Sequence, residues 1–301
     1  MPQSTFQKPA LAPATQVELL EQRGMEIQDR SRAEHHLRFI GYFRLSGYWF
    51  PFQIRDGSPD HDRFRPRTGF GTVLDRYDFD HHLRILIVKA VEQIEISARA
   101  VVSDTMCVQF GPHWYLNPAH FSVRFDHCSF LRRVRRETGI DPVNLHRQAD
   151  FIRHYLRTYD DPAMPPGWMI FETLSFGAVS RVFANLHDSE KKPIAKNFEL
   201  PRDRLQSWLH AVAHLRNLCA HHSRVWNREF RITPSVARRG PSIPASRRFY
   251  NHAVAVQTLL KRISDNAGWA EGLLALFEAH PDIPLAQMGF PLDWAEQEIW
   301  S

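Results

Sequence analysis

Lysine is scarce in this chain. Of 38 basic residues only Lys8, Lys89, Lys191, Lys192, Lys196 and Lys261 are lysines, which leaves 32 arginines in 301 residues. The positive charge is therefore carried by planar guanidinium forks, which grip phosphate in pairs of hydrogen bonds, rather than by compact ammonium groups. With 17 histidines and 12% aromatic residues beside them, the bias leans towards nucleic acid as a partner, although a GC-rich coding sequence would produce it as well. Cysteine is scarcer still. Cys107, Cys128 and Cys219 are too few and too scattered for a disulfide framework or a zinc ribbon, and fit a reducing compartment. No run approaches the roughly 20 apolar residues of a membrane span; the greasiest stretch, "ILIV" at 85–88, lies between Arg84 and Lys89. The N-terminus has no basic start followed by an apolar core, so no signal peptide is expected. The expectation is a soluble, cytoplasmic protein with no membrane contact. Alternating strand patterns, internal repeats and low-complexity blocks are absent too. What remains is 43% hydrophobic residues in helical periodicities, enough for a real core and an all-α class.

The periodicity sets out the elements. Residues 1–14 carry three prolines and read as a flexible lead-in, with 15–301 a single helical domain. "TQVELLEQRG" suggests a helix capped by Thr15 and stopped at Gly24, and a second runs from Ser31 to about Ile40. "IGYFRLSGYWFPFQIRDG", dense in aromatics and punctuated by glycine, reads as irregular or short extended structure, and residues 55–70 as a surface loop. From Phe70 to about Phe110 one long helix is predicted, with Leu83, Leu86, Ile87, Ala90, Val91, Ile94, Ala98 and Val101 on its apolar face. Arg84, Glu92, Glu95 and Arg99 fall within an arc of roughly 80° on another face, either a solvated salt-bridged surface or a polar seam lining a site. Further helices are expected around "FLRRVRRE", in "NLHRQADFIRHYLRTY", from Trp168 to Leu186 with an interruption at Gly177, from Arg202 to about Ala220, and at 249–264 and 268–279. A connector rich in proline and arginine occupies 231–248. "RRVRR" is a candidate phosphate-contacting patch or simply a solvated basic face.

The stretch "RNLCAHHSRVWNREF", residues 216–230, concentrates functional side chains. On the predicted helix Leu205, Trp208, Leu209, Val212, Leu215 and Cys219 form an apolar stripe, and Arg216 lies inside it. A charge on a buried face costs several kcal/mol unless it is paired or faces a cavity, so Arg216 requires a partner. His221 follows Asn217 by four positions and shares its face. The spacing Arg-x4-His by itself says little, because roughly five such pairs are expected by chance in a chain this rich in both residues. Residues five apart on a straight helix also point about 140° away from each other, so Arg216 and His221 converge only if the helix ends or a second subunit contributes. Chemically, a neutral imidazole beside an arginine and an amide suits metal-free RNA cleavage. The plainer role for His221 and His222 is to close the helix and interact with its dipole. Zinc is disfavoured: Cys219, His221 and His222 are too close in sequence to share a tetrahedron, and no CxxC or HExxH completes a set.

The blocks "LLEQRGMEI", "IGYFRLSGYWFPF", "YDFDHHLRILIVKAVEQIEISAR", "GWMIFETLSFGAVSRVFANL", "WLHAVAHLRNLCAHHSRVWN" and "MGFPLDW" stand in this order along nearly the whole chain. In this the sequence resembles the Abi family of bacterial abortive infection (phage-defence) proteins, the AbiD/AbiF-like group. The resemblance implies a HEPN-type helical bundle with N- and C-terminal elaborations, related to the RNA-cleaving domains of RNA-guided CRISPR effectors. In that superfamily an Arg-x4-6-His motif carries ribonuclease activity, often with a polar residue after the arginine. Carried onto this chain, the resemblance places the HEPN core at about 70–230 and the motif on Arg216, Asn217 and His221, with His222 as the spacing alternative; Arg224 and Asn227 beside the motif, and Arg84, Glu92, Glu95 and Arg99 of the polar arc, are candidate supporting or RNA-binding residues. Arg76 with His81 also fits the spacing, but lies in a block where the family does not require histidine. One motif where superfamily sites combine two implies a homodimer with a composite site. Two functions follow: a metal-independent endoribonuclease without cofactor, or a non-catalytic RNA-binding defence component held by a small structured RNA or a protein antitoxin.

Overall fold

The computed structural model describes residues 9–58, 60–235, 246–264 and 268–300. The start of the expected lead-in and the middle of the 231–248 connector lie outside them. The described chain is all-α, with helices α1 (Pro13–Gln22), α2 (Arg30–Phe39), α3 (Tyr42–Trp49), α4 (Phe70–Phe110), α5 (His127–Glu137) and α6 (Asp150–Thr158) in its first half. The second half holds α7 (Gly167–Thr173), α8 (Phe176–Asn185), α9 (Asp188–Asn197), α10 (Arg202–Ala220), α11 (Phe249–Ile263) and α12 (Trp269–Ala279). Among the described residues there are isolated β-bridges but no strand.

Two compact units divide the chain, residues 1–83 with 276–283, and 84–275 with 284–301. In the first, α1 opens on Pro13 at its first turn with Ala12 before it, so Thr15 lies inside the helix and is not its cap. Proline needs no N–H at that position, which removes the need for a side-chain acceptor. Gly24 ends the helix at φ +90, a conformation an L-residue enters at a cost. Asp29 caps α2 by accepting the Arg32 N–H at 2.9 Å. Residues 42–49, expected to be irregular, are helical. Burial of Leu45, Tyr48 and Trp49 on one side outweighs the poor intrinsic preference of an aromatic- and glycine-rich segment. Tyr48 donates its hydroxyl to buried Asp80 at 2.6 Å.

The second unit carries the candidate site. On α4, Leu83, Ile87, Ala90, Val91, Ile94, Ala98, Val102 and Met106 are buried, while Leu86 and Val101 are half-buried. Steps of four residues let the buried row drift round the helix, which is why Val102 replaces the expected Val101. The predicted helix 168–186 is two helices, broken at Leu174 and Ser175 rather than at Gly177, which sits in the first turn of α8. Gly167 starts α7 against Cys107 and Trp114, where an added Cβ would stand 3.0 Å from both side chains. The segment after α8, for which no helix was expected, forms α9 with Pro193 inside it. The six residues of the α10 stripe are all buried, and α8, α9 and α11 pack around that helix.

Candidate functional site

Helix α10 brings its C-terminal turn to the middle of α4. Arg216 places Nε 3.4 Å from Oε2 of Glu95, whose side chain is only 9% exposed, while that of Arg216 is 39% exposed. Arg216 is thus at the rim of the apolar stripe rather than wholly within it, and the partner its position demanded is Glu95. The same carboxylate is ion-paired to Arg99 one turn along α4. Arg99 also donates from Nη2 to the Leu174 carbonyl at 2.9 Å, tying the break between α7 and α8 to this pair. One buried carboxylate between two guanidiniums leaves a net positive charge, and its outward part belongs to Arg216. Of the polar arc foreseen on α4, Glu95 and Arg99 meet. Glu92 points to solvent, and buried Arg84 lies eleven residues earlier, about 16 Å along the axis.

Helix α10 ends directly after this contact. His221 is the C-cap and donates its N–H to the Asn217 carbonyl at 3.0 Å. His222 takes a left-handed conformation, φ +54. Its N–H reaches the Cys219 carbonyl at 2.9 Å, and the Ser223 N–H reaches that of Leu218 at 2.8 Å. These are the two bonds of a Schellman turn, with histidine where glycine is usual. The turn satisfies carbonyls that the helix end leaves open and sets both imidazoles, exposed, on the chain reversal. Asn217 is exposed as well, its Oδ1 3.5 Å from Nη1 of Arg216.

Arg224 and Asn227 belong to the turn that follows. The guanidinium of Arg224 lies 6.0 Å from the ring of buried Trp226, and its carbonyl accepts from Nη1 of Arg228 at 3.1 Å. Asn227, at φ +48, accepts from Nη1 of Arg248 at 3.1 Å. Both brace the segment that leaves the site. Cys219 is buried while His221 and His222 are exposed, so these three do not converge. Among the described residues no group of three or more His, Cys, Asp or Glu side chains is placed to hold a metal ion.

A groove runs beside this cluster that the sequence reading did not single out. On α10 the row Asp203, Ser207, His210, His214 and Asn217 steps by four and three residues along one face, and His221 is its next position. That face lines a groove of about 710 Å³, with Gly177, Ala178 and Arg181 of α8 and Arg133 of α5 on its other sides. A second hollow of about 340 Å³ shares Arg133, Ala178 and Arg181, and extends to Arg124 and Phe125. His214 is held below the usual histidine range by burial first, then by the charges of Arg228 and His210. The signal for this groove was present as the spacing of polar residues on α10, opposite the apolar stripe that drew attention.

A family model described as Abi-like protein matches residues 35–227, from α2 through the turn after His222. No curated protein matches the chain. No solved structure matches it.

Proposed function

The chain belongs to the Abi-like protein family, and so to abortive infection, a phage-defence response; on that premise we propose that it is a metal-independent endoribonuclease of HEPN type, acting as a homodimer. The observation that carries this reading is Arg216, pinned from behind by buried Glu95 and presented at a helix end where two exposed histidines follow. In the reaction one imidazole takes the proton of a ribose 2′-hydroxyl. The 2′-oxygen bonds to the adjacent phosphorus, the bond from phosphorus to the 5′-oxygen breaks, and a second imidazole protonates the departing oxygen. The products are a 2′,3′-cyclic phosphate and a 5′-hydroxyl. Arg216 stabilises the charge that accumulates on the phosphoryl oxygens, and Asn217 beside it offers an amide donor. The ring of His221 makes no hydrogen bond among the described residues, which agrees with a site completed by the same turn of a second copy.

A second reading, an RNA-binding defence component restrained by a structured RNA or a protein antitoxin, draws on the capping geometry. His221 and His222 already have a structural task in closing α10. One assay separates the two. Purified wild type and His221→Ala are incubated with total RNA in EDTA, and the new ends are examined. The endoribonuclease reading expects wild-type fragments with 2′,3′-cyclic phosphate termini, and a loss of about a hundredfold or more in the variant. Intact RNA with both proteins rejects it in favour of the binding component.

A further inference from the structure

We infer that the groove between α5, α8 and α10 is the track that holds the backbone of single-stranded RNA on its way to Arg216. This rests on the RNA reading above for the identity of the polymer. Three arginines from different elements converge here: Arg124 ahead of α5, Arg133 on α5 and Arg181 on α8. Arg124 and Arg181 are exposed and have no acidic side chain within ion-pair distance among the described residues. Two acidic side chains, Asp126 and Asp203, line the same hollows without lying within ion-pair distance of either arginine. Asp126 caps α5, its Oδ1 accepting the Ser129 N–H at 2.9 Å, and Asp203 stands 3.6 Å from Nε of Arg202. Glu137 lies 3.9 Å from Arg133 and offsets part of its charge. Two uncompensated guanidiniums on one concave surface, beside a third, form a site for successive phosphates rather than for a single small anion.

The remaining lining suits a polynucleotide. Gly177 and Ala178 keep the wall low, and a Cβ added at Gly177 would meet nothing within 4 Å. Phe125, half-buried, is stacked on Phe121 at 4.8 Å and 18°, a rigid platform beside Arg124 on which a base can stack. A duplex keeps its bases paired and cannot use such a platform, so the lining favours a single strand. At the other end Asn217 lines the groove and also touches Arg216, so the track and the proposed cleavage site meet at one residue.

The test is binding of a fluorescent 2′-O-methyl oligouridylate to the full-length protein across a salt series. The probe has no free 2′-hydroxyl, so binding is measured whether or not the protein cleaves RNA, and a failure of the ribonuclease reading leaves this measurement standing. Arg124→Gln/Arg181→Gln, both at exposed positions, is expected to weaken binding about tenfold. It is also expected to make the dependence of log affinity on log salt less steep by about 1.4, two phosphate contacts on a single strand. Phe125→Leu is expected to lose about fivefold at an unchanged salt slope, the signature of a lost stack. Unchanged melting of the variants excludes misfolding as the cause. Wild-type affinity and slope in the double variant overturn the track. So does a wild type that does not bind the probe.

Discussion

His252, on α11, has no exposed surface. Its Nε2–H donates to the Ile232 carbonyl at 3.0 Å, and its ring centre lies 4.3 Å from that of Phe230. Burial pushes its pKa down to about 4, and the nearby Ile232 and Arg248 backbone groups offset this only in part. The unfolded chain titrates this group near the free value of about 6.5, so the unfolded state binds the proton more readily. Stability from a neutral His252 is therefore complete above about pH 6.5 and is lost as pH falls towards 4, by about 3 kcal/mol in all. Denaturant unfolding at a series of pH values checks this: His252→Gln, an uncharged polar replacement, is expected to flatten the loss across that window. An equal slope in wild type and variant would show that another group is responsible. In the candidate site the pair that matters at this scale is Glu95 with Arg216. Arg216 was legible in the sequence as an anomaly, a charge inside an apolar stripe. Its partner lies 121 positions earlier, on an arc of α4 that also held Glu92, and nothing local tells the buried carboxylate from the solvated one.

At the scale of the element, helix ends decide where side chains go. His222 holds a left-handed backbone that costs a residue with a Cβ about 1 kcal/mol, and a β-branched residue more. His222→Gly is expected to unfold at a higher temperature than His222→Val, by a difference of about 1 kcal/mol or more in thermal denaturation. If the order is reversed, left-handed backbone strain at position 222 does not decide the stability of this turn. Long amphipathic elements such as α4 and α10 were legible to within a residue or two, because a buried stripe repeats over many turns. Helix α3 was not, since its helical state comes from burying Tyr48 and Trp49 and not from its own preferences. Helix α9 was missed for a different reason: Pro193 and a mostly polar composition hide an element in which Ile194 and Ala195 are nevertheless buried. The groove on α10 was readable as a row of polar residues, two of them histidines, yet its significance depends on Arg133 and Arg181, which only packing brings opposite.

At the scale of the whole molecule, the proposed dimer has a natural face. On α4 Ile85, Val88 and Ile96 are 54%, 43% and 56% exposed, within a helix whose other side is fully buried. Ile96 follows Glu95 directly, so a second copy docked on this face would stand next to Arg216. Val88→Arg/Ile96→Arg is expected to shift the protein from dimer to monomer in sedimentation velocity, and to lower RNA cleavage with it. A dimer that survives both substitutions places the interface elsewhere. Three and four residues after His222 the chain is held by buried Val225 and Trp226, and two residues before His221 it is held by buried Cys219. A spur anchored at both feet has little freedom left to surrender when a ligand arrives. Recognition at this end is therefore governed by the fit of a ready-made surface, with the ordering cost already met when the protein folds.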